Sequence, residues 1–428
     1  MSDTTAASTE KAARSFRAYW ALAALFAGLV LGLSADAWSA GAHDAALSVA
    51  SFVGTLWLNG LKMTVIPLVV TLLVTGVAKS AEAARAGRIA ARSVMWIVIV
   101  CTVSAIFGAV ATLLLTHAFP LPPSTADALR GALVGIEQRP TGPLPGVADF
   151  FKGVIPPNVI AAASNGDVLP LVVFALLFAL ALTRIGEAAR RSVVGLFEAI
   201  ADALLVIIRW VLWVAPLGVF ALAFGVGSEA GGAAFAGLGH YIALVSIVGV
   251  LWMILGGYPL GILGGARRPQ DFAKAMIGPQ AVAISTRSSL ASLPAMLTAA
   301  QSLGIRPRVA DVSLPLAVAL FRSTGPAMNV AVAFYVAHWL GLHPTPAQML
   351  AAVAVGAVMS YGAVSLPGEI TFISSIAPIA MALGVPIAPL ALLVAVEMVP
   401  DIFRTLGNVT FDVALAAVVD KGTTHEEK

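Results

Sequence analysis

The sequence holds a single cysteine, Cys101, and it lies inside an apolar run. A disulfide within one chain is therefore excluded, and a cysteine-based metal cluster has no ligands to draw on. Charge is scarce: only 11% of the 428 residues are Asp, Glu, Lys or Arg, against roughly 25% in an ordinary soluble domain. The six histidines form no ligand-spaced group. Gly-x-Ser-x-Gly, His-Glu-x-x-His and Walker A patterns are missing, so the signatures of α/β-hydrolases, zinc proteases and P-loop enzymes are absent. The sequence therefore predicts a protein that is not an enzyme and holds no cofactor. A net charge of +3 offers no basic surface for nucleic acid.

What is abundant is apolar surface, at 59% of residues. One soluble core cannot bury that much, so lipid must serve as solvent. A membrane helix needs about 20 mostly apolar residues. The runs at 18–36, 46–78, 90–117, 154–184, 193–225, 238–263, 308–336 and 386–419 meet that need and predict eight transmembrane helices. The first run follows Lys11, Arg14 and Arg17 and precedes Ala35-Asp36-Ala37. That arrangement also fits a cleaved secretory signal, but an uncleaved first helix is simpler in a chain embedded throughout.

Basic residues orient the spans. Lys11, Arg14 and Arg17 precede the first; Lys79, Arg85, Arg88 and Arg92 follow the second; Arg184, Arg190 and Arg191 follow the fourth; Arg267 and Arg268 follow the sixth. The loops near 34–45 and 226–237 carry no Lys or Arg, and the proline-rich loop near 118–150 carries few. The positive-inside rule then puts both termini in the cytoplasm, and a polytopic helical chain is expected in the cell inner membrane. Two further apolar segments, 269–300 and 346–382, are broken by proline and polar residues. Arg306 and Arg308 stay cytoplasmic only if 269–300 enters and returns, so it reads as a re-entrant hairpin, and parity makes 346–382 a second one opening to the other side. Ser292-Leu293-Pro294 recurs as Ser365-Leu366-Pro367, and Arg322-Ser323-Thr324-Gly325 is echoed by Arg404-Thr405-Leu406-Gly407. Hairpins of opposite sense, each followed by a helix with a polar centre, form an inverted repeat. Such repeats mark transporters that bind substrate near the bilayer midplane. The fold expected is an all-α polytopic membrane protein with eight spans and two hairpins.

Ionisable residues inside the membrane are functional candidates by default. They concentrate in the last third: Arg287, Arg322, Glu369, Glu397, Asp401, Arg404 and Asp412. Asp401, Arg404, Thr405, Asn408 and Asp412 share one helical face. On that face Asp401 can accept an ammonium, Arg404 can clamp a carboxylate bidentately, and Asn408 can bond a second carboxylate. A salt-bridged contact between helices is the alternative. Arg287, Ser288 and Ser289 lie at the predicted tip of the first hairpin, where backbone N–H groups at a half-helix start can hold an anion. Pro367, Gly368 and Glu369 lie near the tip of the second and read as a gate, with Glu369 a proton carrier.

Across most of its length, from Lys62-Met63-x-Val65-x-Pro67 onward, the chain resembles the dicarboxylate/amino acid:cation symporters, which include the glutamate and aspartate transporters. Thr286-Arg287-Ser288-Ser289 with Leu293-Pro294, Asn165-Gly166-x-Val168-Leu169-Pro170, the run from Ala215 to Leu222, Pro367-Gly368 and the stretch from Asp401 to Asp412 carry the resemblance. It implies a homotrimer with an elevator-type mechanism. The scaffold would comprise mainly 18–78 and 150–228. The transport domain would comprise mainly 88–117 and 236–420, with hairpins at about 269–300 and 346–382. It also implies that Asp401 binds the substrate amino group, Arg404 the side-chain carboxylate and Asn408 the main carboxylate.

Departures from the family pattern are as informative. The Asn-Met-Asp-Gly-Thr motif of many members reads Phe321-Arg322-Ser323-Thr324-Gly325 here. Oxygen ligands of the deepest sodium site fall on Phe321, Ser323, Ile97, Val100 and Cys101, which leaves at most a residual sodium site at Asn408 and Asp412. Arg322 enters this region as a candidate replacement for the sodium charge beside Asp412 or another buried carboxylate. Gly325 stands where the family has a threonine that helps hold the side-chain carboxylate. The expected activity is secondary transport of aspartate or glutamate with reduced or no sodium dependence, and a proton is favoured over sodium as coupling ion. Glu369, Glu397, Asp401 and Asp412 are the proton carriers on offer. A C4-dicarboxylate carrier, a neutral amino acid carrier of the same fold, and a sodium-coupled carrier using the residual site are the alternatives.

Overall fold

The computed structural model describes residues 20–85, 87–131, 154–265, 268–361 and 368–423. Among them every regular element is a helix. In chain order these are α1 Trp20–Ser34, α2 Ala40–Arg85, α3 Arg88–Ala118, α4 Pro123–Gly131, α5 Val159–Asn165, α6 Val168–Leu182, α7 Glu187–Trp213 and α8 Ala215–Ala230. There follow α9 Ala233–Leu263, α10 Pro269–Thr286, α11 Ser289–Ser302, α12 Pro307–Leu320, α13 Thr324–Trp339, α14 Pro346–Val358, α15 Gly368–Leu383, α16 Ala388–Leu393 and α17 Met398–Gly422. The basic N-terminal residues, Arg267, most of the proline-rich loop and the Ser365-Leu366-Pro367 repeat lie outside the described residues.

Among the described residues, five elements are long and apolar enough to cross a membrane: α2, α3, α9, the α12–α13 pair and α17. The α7–α8 pair adds a sixth if its 56° bend interrupts one span. Helices α1, α6 and α14 and the segment Phe372–Leu383 are apolar but shorter. Large apolar side chains such as Phe52, Leu114, Trp210, Trp213 and Leu217 stay exposed, as lipid solvent requires.

Several expected spans prove discontinuous. The run 154–184 is divided at Gly166, whose left-handed φ of 69° ends α5 after Asn158 has capped its start. The run 193–225 bends at Val214, with Pro216 in the first turn of α8, where its missing N–H costs nothing. The run 308–336 breaks where Phe321 turns extended, at φ −108° and ψ 115°. The run 386–419 splits into α16 and α17, with Pro389 and Pro400 in their first turns. Helix α9 carries a π-segment at Met253–Gly257.

Both interrupted segments fold as helix pairs. Helices α10 and α11 meet at Arg287 and Ser288 and pack along each other; α14 packs along α15. The first pair packs on α17, whereas α15 packs on α13 and α14 on α3. Each pair thus leans on the broken helix that follows the other pair, and the polar centres of α12–α13 and α16–α17 come together between them.

Candidate functional site

The break between α12 and α13 frees backbone groups that a membrane interior cannot solvate. Side chains answer them. The Ser323 carbonyl accepts from Trp252 Nε1 at 3.0 Å and from Ser104 Oγ. Ser104 Oγ in turn accepts from the Ala327 N–H at 3.0 Å. The Thr324 N–H at the start of α13 donates to Asn408 Oδ1 at 3.1 Å. Helix α17 is thereby pinned to the break, and Gly407 lets the backbone of α17 approach Thr324 closely.

Arg404 is the centre of the site. It is buried in α17, and its Nη1 pairs with Glu397 and, at 3.3 Å, with Asp401. Tyr241 donates its hydroxyl to Glu397 Oε2 at 3.0 Å, fixing that carboxylate from α9. The opposite edge of the guanidinium, Nε and Nη2, is buried with no hydrogen-bond partner. That edge is the fork that takes a carboxylate through two parallel hydrogen bonds. A buried donor pair left unmatched costs free energy, so it marks where an anion would be received. Asp401, held on the Nη1 side, has a 16% exposed side chain.

The other expected site residues divide. Thr405 donates its hydroxyl to the Asp401 carbonyl at 2.9 Å, so its donor is spent inside the helix. Asn408 has its amide oxygen committed to Thr324, which leaves only its N–H₂ to offer a ligand carboxylate. Gly325 is buried at the start of α13. A methyl group there would meet nothing nearer than Arg322 Cβ at 3.7 Å, Asn329 Nδ2 at 3.9 Å and Ser360 Oγ at 4.0 Å. Ser288 caps α11 by accepting from the Ala291 N–H at 3.2 Å, and Ser289 opens that helix. Arg287 adopts left-handed backbone, φ 49°, as no other non-glycine residue does among those described; it makes no ion pair to a described carboxylate of α17. Gly368 begins α15 with Glu369 in its first turn, and Pro367 lies outside the described residues.

Asp412 is fully buried, and both its carboxylate oxygens lack a hydrogen-bond partner. Arg322 attracts it electrostatically without forming an ion pair. No cluster of His, Cys, Asp and Glu able to hold a metal exists among the described residues. Sequence reasoning named Glu397 as ionisable but missed its role as the partner of Arg404. The signal was present: residues 397, 401 and 404 fall at helical spacings of four and three and so share a face.

The geometry offers one guanidinium edge for a carboxylate, one carboxylate for an ammonium, and no nucleophile–base pair. Comparison with known proteins agrees with a carrier. The family model described as "Sodium:dicarboxylate symporter family" matches residues 18–422. The chain is 29% identical over 406 residues to a proton/sodium-glutamate symport protein of Bacillus subtilis, covering 92% of this chain and 90% of the relative. It is 28% identical over 366 residues to a C4-dicarboxylate transport protein of Cupriavidus taiwanensis, covering 83% and 81%. It is 25% identical over 418 residues to a proton/glutamate-aspartate symporter of Escherichia coli, covering 94% and 92%. A match across nearly the whole chain, joined to a buried polar centre between broken helices, identifies a transport protein and not an enzyme: the chain belongs to the sodium:dicarboxylate symporter family.

Proposed function

We propose that this symporter-family protein carries an acidic amino acid, aspartate or glutamate, across the cell inner membrane. The observation that carries the reading is the unmatched Nε/Nη2 edge of Arg404, on a guanidinium whose Nη1 meets the partly exposed Asp401. A dicarboxylic amino acid offers both complements, a carboxylate for the fork and an ammonium for Asp401, while the Asn408 N–H₂ and the Ser288–Ser289 tip receive its second carboxylate. A simple C4-dicarboxylate would leave Asp401 facing a second negative charge. Glutamate and aspartate also appear in the names of the Bacillus and Escherichia relatives.

The transport cycle is an elevator: residues 88–117 and 236–420 move as a body against a scaffold of 18–78 and 150–228, within a homotrimer whose eight spans and two hairpins leave both termini cytoplasmic. Packing of α2 on α6, α7 and α8, and of α17 on α9, α10, α11 and α12, supports that division. Coupling to sodium is weak or absent and a proton is the favoured ion, with Glu369, Glu397, Asp401 and Asp412 as carriers. Sodium as co-transported cargo needs several hard oxygen donors. Phe321, Ile97 and Val100 bring none and Cys101 brings sulfur, which leaves Ser323 Oγ and the Asp412 oxygens as the unmatched hard donors among the expected sodium positions. A residual sodium site at Asn408 and Asp412 is the competing arrangement.

A C4-dicarboxylate carrier is the second reading, favoured by the Cupriavidus relative. Thermal shift with aspartate, glutamate, serine, succinate and malate, each with and without sodium, separates the two. Aspartate or glutamate should raise the melting temperature by several degrees in sodium-free buffer, and succinate should not. Uptake into proteoliposomes under an inward pH gradient without sodium should accumulate the stabilising amino acid. Stabilisation by succinate alone would overturn the amino acid assignment; no accumulation would overturn proton coupling.

A further inference from the structure

Two charged groups at the meeting of α12–α13 with α17 keep buried polar atoms without a hydrogen-bond partner. Asp412 is fully buried with neither oxygen hydrogen-bonded, and Arg322 keeps its Nε buried and equally unmatched. Contacts on either side hold the two residues across from one another. Phe321, next to Arg322, meets Phe411, next to Asp412, at 6.4 Å between ring centroids. Two residues on, Thr324 donates to Asn408, one turn before Asp412. Those neighbouring contacts place Arg322 on the break opposite the turn of α17 that carries Asp412. The backbone that carries it is held firmly: Cys101 sulfur faces its N–H, and Trp252 and Ser104 bind the next carbonyl.

An ionised carboxylate in a dry interior is costly unless a cation accompanies it. Two solutions exist. A mobile cation can bind and leave with each cycle, or the chain can carry its own. We propose that Arg322 is a resident counter-cation for Asp412 that makes substrate binding indifferent to external alkali cations. The inference rests on the reading of Asp401 and Arg404 as the substrate site, which it deepens.

A mechanistic consequence separates a tethered cation from a bound one. Arginine stays protonated in proteins, and Arg322 returns with the empty carrier as surely as it moves with the loaded one. It supplies neutralisation without transferring an ion, so it adds no driving force. An ion gradient must therefore enter the cycle elsewhere, or the protein exchanges one substrate molecule for another. The same guanidinium that removes the sodium requirement for binding removes that sodium's contribution to accumulation.

The test uses detergent-purified full-length protein, with L-aspartate and L-glutamate titrated calorimetrically in sodium chloride and in choline chloride. The unaltered protein should bind with dissociation constants within twofold in the two salts. Arg322→Met should weaken binding in choline at least tenfold, while Arg322→Lys, which keeps the charge, should stay within about threefold of the unaltered protein. A second measurement needs no substrate. Thermal melting of ligand-free Arg322→Met, Asp412→Asn and the double variant should show both single variants destabilised and the double variant partly restored, because it removes the charge and its counter-charge together. Arg322→Met binding in choline within twofold of the unaltered protein would overturn the proposal. So would a melting cycle in which the two losses simply add. Absence of binding by the unaltered protein would instead refute the acidic substrate assignment, and the melting cycle would still decide the role of Arg322.

Discussion

Arg404→Ala is expected to abolish measurable uptake of the acidic substrate and to lower its affinity at least 100-fold. Two losses add. The carboxylate loses its bidentate donor, an interaction whose removal at a desolvated site costs about 2–5 kcal/mol. Glu397, only 2% exposed, keeps the Tyr241 hydroxyl but loses its cation, and breaking a buried pair from one side costs about 3–5 kcal/mol. The second loss falls on the folded protein as well as on the complex, so Arg404→Ala should also melt at lower temperature. Glu397→Gln separates the effects. It keeps a side chain of the same size beside Tyr241 and leaves the Nε/Nη2 edge of Arg404 intact, so it should cost about tenfold in affinity through a less well-held guanidinium. Calorimetry and proteoliposome uptake on both variants provide the check. Ordinary uptake by Arg404→Ala would refute the assignment of this side chain to the substrate.

Gly108→Leu is expected to prevent recovery of monodisperse protein. Helices α3 and α13 are densely packed against each other, and a Cβ added at Gly108 would collide with the Ala327 carbonyl and Cα. The obstacle is backbone, which cannot swing aside as a side chain can. Overpacking of this kind costs about 1–3 kcal/mol and more where nothing yields. Small residues serve such contacts in membranes, where association depends on packing and not on water expulsion. The damage should reach the site, because α13 begins at the Thr324 N–H that Asn408 receives. Gly239→Ala makes the contrast. A Cβ there meets nothing within 4 Å, so its better helix propensity, about 1 kcal/mol over glycine, should leave the melting temperature unchanged or raised. Size-exclusion profiles and melting curves of Gly108→Ala, Gly108→Leu and Gly239→Ala should fall in opposite directions about the unaltered protein.

Much of this architecture was legible before any coordinates. The segments at 269–300 and 346–382 stood out because proline and serine interrupt apolar runs too long for a loop and too broken for one helix. They fold as Pro269–Thr286 with Ser289–Ser302, and as Pro346–Val358 with Gly368–Leu383. The polar face of α17 was equally plain, since Asp401, Arg404, Asn408 and Asp412 recur at helical spacing in an apolar context. Less legible were the interruptions inside spans that read as continuous. Hydropathy over 308–336 carries no sign that Phe321 turns extended, because that break is stabilised by Trp252 and Ser104 from α9 and α3, distant in sequence. The pairing of Glu397 with Arg404 was open to spacing arguments; the Tyr241 hydroxyl that steadies it was not.

Composition and periodicity alone determined that lipid is the solvent and that the apolar runs are helical, because exposed apolar surface is a local cost that no distant contact can cancel. Which edge of Arg404 stays unmatched, that the oxygen of Asn408 is spent on a helix start, and that Asp412 faces Arg322 without touching it were decided only by the tertiary structure. The Thr324–Asn408 contact spans 84 residues of sequence and the Tyr241–Glu397 contact 156; each is set by whichever helices close packing brings together, and no spacing rule spans such distances.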